Sequence, residues 1–154
     1  LESLDSYRFN TPLNDIENSD LIILVGTNPK IETPIINHKI FKAYNNDAKV
    51  FNIGENISLN YKTEYLGESL SSLNNENLIK ALKKSTNPLI IIGSAFLNKI
   101  KNIKTLKSIF SYADKYKVIT KEKNNLNFLN PYASRVGQLI IGNTLVTFVS
   151  RFLI

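Results

Sequence analysis

The chain has 154 residues, 43% of them hydrophobic and 21% charged, which is enough to bury a core and excludes both a disordered chain and a membrane bundle. It contains no cysteine, so it can supply no disulfide, no thiolate zinc site, no cysteine nucleophile and no cysteine ligand for an iron-sulfur cluster. Its formal charge of +6 is lopsided: residues 1–79 hold six Lys/Arg against eleven Asp/Glu, and residues 80–154 hold thirteen against two. A basic half of that kind suits an acidic protein, a nucleic acid or an anionic membrane surface.

Residues 1–10 mix charge and aromatics without a period and read as a connecting segment with no signal-peptide pattern. The first residue is leucine and methionine is absent, which points to a processed chain or a fragment. Thr11-Pro12 starts a short helix that turns Leu13 and Ile16 inward. Residues 21–25, Leu-Ile-Ile-Leu-Val, form the strand around which the rest is organised. Five apolar residues without polar alternation require cover on both faces, as in a parallel sheet flanked by helices. Gly26 then lets the chain bend and Pro29 stops the strand.

Thr33-Pro34 repeats the cap-and-proline device before a helix whose stripe is Ile36, Ile40, Phe41 and Tyr44. A second strand over residues 49–53 ends at Gly54, which completes a crossover unit with parallel strands. Residues 55–73 read as a long ordered loop. Asn74 caps the next helix, with Leu78, Ile79 and Leu82 inward and Lys80, Lys83 and Lys84 outward or late. Residues 89–92 repeat the buried-strand pattern and run into Gly93-Ser94. Apolar residues spaced by three or four from Leu97 to Tyr116 give one amphipathic helix of about five turns. Val118-Ile119-Thr120 reads as a short strand, residues 121–127 as a polar loop, and Pro131 as a further helix start. Residues 137–154 are mostly apolar, but Gln138, Asn143, Thr144, Thr147, Ser150 and Arg151 interrupt them. That argues for a terminal strand over 145–149 facing a partner rather than a membrane span. The frequent asparagines are compatible with a compositional bias of the coding sequence alone and carry no structural expectation.

Few residues carry chemistry. The strand-to-glycine turns at Gly26 and Gly93 have the shape of phosphate-binding loops, yet neither has G-x-G-x-x-G spacing or a Gly-Lys-Ser/Thr ending. Ser94 lacks the second glycine of a nucleophile elbow and has no base nearby in sequence. His38, the one histidine, falls off the apolar stripe of its helix and reads as solvated or interfacial. Glu64 and Glu68 could pair, but read as solvated acids in a loop. No residue is assigned to catalysis, to cofactor binding or to a metal. A nucleotide- or pterin-binding domain and a basic nucleic-acid-binding module are the alternatives these features leave open.

The run Asp20 to Pro29, followed by Glu32-Thr33-Pro34, Asn37, Lys42, Ala48 to Val50 and Ile53-Gly54, resembles the large iron-sulfur (75 kDa) subunit of respiratory complex I in its molybdopterin-oxidoreductase-like region. Later blocks follow in the family's order: Tyr61, Tyr65 to Gly67 with Ser69, Leu82-Lys83, Asn87-Pro88, Ile92 to Ser94, and Ala133-Ser134 with Val136. The resemblance implies one Rossmann-like α/β domain or domain fragment, with residues 11–142 as the family-like region and 143–154 as an apolar end. It further implies a non-catalytic component of the peripheral arm of NADH:ubiquinone oxidoreductase, on the matrix side of the mitochondrial inner membrane. Its clusters would sit on cysteines of an amino-terminal portion outside this chain, and the family's molybdenum cofactor would be lost. Partners would be other peripheral-arm subunits and the cluster-bearing portion of the same subunit, with no nucleic acid and no membrane span. The family continues beyond this region, which implies a split subunit or a partial chain.

Overall fold

The computed structural model of the chain describes residues 8–97 and 103–130. Its centre is a sheet of five parallel strands in the order β3-β2-β1-β4-β5. β1 (Leu21–Val25) and β4 (Pro88–Ile92) lie side by side at the centre and are buried at every position. β2 (Lys49–Ile53) and β3 (Glu64–Gly67) extend the sheet on one side and β5 (Leu126–Phe128) on the other. Alternate residues feed two cores. Ile23, Val25, Ile90 and Phe128 enter one, and Ile22, Leu24, Ile91 and Leu129 enter the other. That double burial is why these strands read as unbroken apolar runs.

α1 (Pro29–Glu32) and α2 (Pro34–Asn45) follow β1, and α2 covers the second core with Ile36, Ile40 and Ala43. α3 (Glu76–Lys84) and α5 (Ile103–Lys115) cover the first with Leu78, Leu82, Ile109 and Ala113, and α4 (Ser94–Leu97) is a single turn after β4. α2 and α5 are each followed by a left-handed residue, Asp47 at φ 69° and Lys117 at φ 58°. The next amides, of Ala48 and Val118, return to the carbonyls of Ala43 and Ala113, which closes the helix ends.

Several sequence expectations change. The expected loop at 55–73 contains β3 and leads into a 3-10 helix, Leu70–Asn74, and the expected polar loop at 121–127 contains the start of β5. β5 escapes a hydropathy reading because its middle residue, Asn127, is polar yet fully buried. The expected strand at 118–120 is only an isolated antiparallel bridge between Ile119 and Asn124. Asn75, not Asn74, caps α3, accepting from the Asn77 amide. The segment after Pro12 winds as a 3-10 helix, Leu13–Asn18. The long helix expected from 97 to 116 is described as α4 and α5, and residues 98–102 lie outside the described residues, as do the helix expected at Pro131 and the strand at 145–149.

Asparagine turns out to carry structural weight. The Asn127 side chain accepts from the amides of Asn10 and Thr11, both at 2.8 Å, and donates to Thr11 Oγ1 at 2.9 Å. Asn10 Nδ2 reaches the Leu126 carbonyl, and the Phe128 amide donates to the Arg8 carbonyl. The outer edge of β5 is thereby covered by residues 8–11, which the sequence presents as a mere connection.

Candidate functional site

In an open parallel sheet, ligands bind outside the carboxyl ends of the strands where the order of connection reverses. Here that point lies between β1 and β4, where Val25 runs into Gly26 and Ile92 into Gly93. β1 delivers the turn there because its apolar run ends at a residue free to take φ +59°.

The crevice is closed by the chain itself. A Cβ on Gly93 would lie 2.3 Å from the Gly26 carbonyl oxygen and 2.4 Å from Thr27 Cβ, and one on Gly26 would lie 2.6 Å from Phe96 Cβ. The two turns therefore pack backbone against backbone, with Phe96 of α4 as the lid. Their amides are also engaged: Gly26 N donates to the Ile53 carbonyl and Gly93 N to the Val25 carbonyl, both at 2.8 Å. These bonds prolong the sheet by one residue, so neither amide points at a ligand.

Two further donors of the first turn are taken up by the chain. Glu32 folds back from α1, and its Oε1 accepts from the Asn28 amide at 2.6 Å and from Thr27 Oγ1 at 3.1 Å. A carboxylate of the chain thus occupies two donors that an anion at this turn would otherwise use. Asn28 Oδ1 and Thr33 Oγ1 are buried atoms with no hydrogen-bond partner among the described residues; the first is an acceptor only, and the second, a hydroxyl, can also donate. These turns do not fit a nucleotide or the diphosphate of a pterin cofactor.

The other residues considered from sequence are not brought together. His38 is exposed on α2, Ser94 opens α4, and Glu64 bonds Asn77 Nδ2 at 3.4 Å while Glu68 is solvent-facing. Among the described residues there is no group of three or more His, Cys, Asp or Glu side chains able to hold a metal ion.

At the opposite, amino-terminal end of the central strands, Asp20 organises the approach to β4. Its carboxylate accepts from the Ser85 hydroxyl, from the Thr86 amide at 2.6 Å and hydroxyl at 2.9 Å, and from the Asn87 amide at 3.1 Å. Partial burial pushes the carboxyl up, but these bonds outweigh it and hold its pKa below the ordinary 3.8. A groove of about 460 Å³ near this end is lined by Asn18, Asn87, Glu122 and Lys123 among others, a mixed set with no convergent charge. In the second core, burial raises the pKa of the Tyr61 phenol, whose hydroxyl donates to Asn37 Oδ1 at 2.9 Å.

The family model for molybdopterin oxidoreductase matches residues 2–152. The chain belongs to the molybdopterin oxidoreductase family. This family member is 37% identical over 147 residues to the NADH-ubiquinone oxidoreductase 75 kDa subunit of Reclinomonas americana, covering 90% of this chain and 21% of that one. It is 31% identical over 143 residues to an NADH-quinone oxidoreductase subunit of Rickettsia bellii, covering 89% and 21%. It is also 31% identical over 147 residues to the mitochondrial NADH-ubiquinone oxidoreductase 78 kDa subunit of Candida albicans, covering 92% and 20%. The chain thus spans about a fifth of the length of these relatives. Both the resemblance read from the turn after β1 and the parallel α/β fold hold at the family level.

Proposed function

We propose that this chain is a structural, non-catalytic part of the peripheral arm of respiratory complex I, the NADH:ubiquinone oxidoreductase, on the matrix side of the mitochondrial inner membrane. The observation that carries the reading is a closed switch point, sealed by Gly93, Phe96 and Glu32, in a chain whose relatives are named as NADH-ubiquinone oxidoreductase subunits. Without cysteine the chain provides no thiolate for a cluster. Electron transfer then belongs to another portion of the subunit, and this domain holds neighbours in place. Among the described residues no helix is long and apolar enough to cross a membrane.

The purified chain is expected to show no visible iron-sulfur absorption, no NADH oxidation and no saturable binding of NADH or a pterin guanine dinucleotide up to millimolar concentration. The family's name favours a second reading, a pterin- or nucleotide-binding oxidoreductase domain. Saturable binding that disappears in Gly26→Leu would establish that reading and defeat the structural one.

A further inference from the structure

The lopsided charge of the sequence becomes a difference between the two faces of the fold. α3 and α5 lie on one side of the sheet, and α5 is tied to the 3-10 helix that precedes α3, where the Tyr112 hydroxyl donates to the Leu73 carbonyl at 2.7 Å. They present Lys80, Lys83, Lys84, Lys104, Lys107 and Lys115, all exposed, against the acids Glu76 and Asp114. Lys80 pairs with Glu76 at 3.7 Å, but both side chains are mostly in water, so the pair neutralises little. On the other side the helices are balanced. Lys39 and Lys42 of α2 both pair with Glu17 of the 3-10 helix, the second at 3.5 Å.

Helix-face lysines are usually solvated, but three features of this face select among anionic partners. It carries no arginine among the described residues, and Arg is the usual bidentate phosphate ligand. Its aromatic rings are already engaged, Tyr112 against Tyr116 at 4.7 Å and Phe110 against Phe128 at 6.1 Å, so they offer bases no stacking platform. The large apolar side chains that are exposed, Leu13, Ile31, Ile35 and Tyr65, lie on other elements, so among the described residues nothing on this face would enter a lipid surface. A lysine face without those features steers and orients an acidic protein surface.

We infer that the α3–α5 face is where this domain docks on an acidic surface of a neighbouring protein, an inference that rests on the complex I reading above. The test expresses the full chain as wild type, as the triple variant Lys83→Glu, Lys84→Glu, Lys107→Glu, and as a control with the same charge change away from this face, Lys30→Glu, Lys42→Glu, Lys62→Glu. Circular dichroism checks that each is folded, and native gels of solubilised membranes follow assembly. The wild type and the control are expected in the high-mass complex, with incorporation of the triple variant reduced about tenfold or more. Equal incorporation of the folded triple variant overturns the docking surface and leaves the complex I reading standing. A wild-type chain that runs free defeats both. Retention of the wild type, but not the triple variant, on RNA or on phosphatidylglycerol vesicles would replace the acidic protein with another anion and also overturn the inference.

Discussion

Gly93 and Lys117 show how single residues decide between shape and function here. Gly93→Ala is expected to destabilise the fold by about 1–3 kcal/mol in urea denaturation, because the added methyl meets the backbone of Gly26 and Thr27 rather than a yielding side chain. Lys117→Gly should do the reverse, adding about 0.5–1 kcal/mol, since lysine at φ 58° bears a left-handed strain that glycine does not. Asp20 adds a pH dependence. Its folded carboxyl lies below the unfolded value of 3.8, so its contribution is present above that pH and is lost as the pH falls through the folded value. Asp20→Ala should therefore lower stability by about 1–2 kcal/mol at pH 7, a figure discounted for its partial exposure, and the gap to wild type should narrow as the pH falls below 3.8 in acid-melting curves. The glycines were legible in the sequence as turn-formers. That the turns seal each other was not, because the approach of Gly26 to Gly93 depends on β1 and β4 being neighbours.

At the scale of elements, β1, β2, β4 and α2 could be read because burial on both faces, or on one stripe, forces a pattern into their residues. The edge strands could not. β3 is half exposed and short, and β5 hides Asn127 behind hydrogen bonds that pattern alone cannot foresee. The same bonds make a prediction. Asn127→Ala should cost about 2–3 kcal/mol, because the amides of Asn10 and Thr11 lose their acceptor in a mostly buried setting. Hydrogen exchange at those two amides should accelerate more than at β1. Equal protection of the two amides in the variant would show that residues 8–11 are held by something other than this side chain.

For the whole molecule, the family could be read from the turn after β1 together with the order of later blocks, whereas the distribution of charge over two faces needed the fold. Among the described residues the excess of lysine over acid falls on the α3–α5 layer, which on the proposed reading serves docking. The measurement that bears most directly on this account is a native gel of detergent-solubilised mitochondrial membranes, stained for NADH dehydrogenase activity and probed for this chain. The account predicts that the chain runs in the active high-mass band, and a chain found only as a free low-mass species would contradict it.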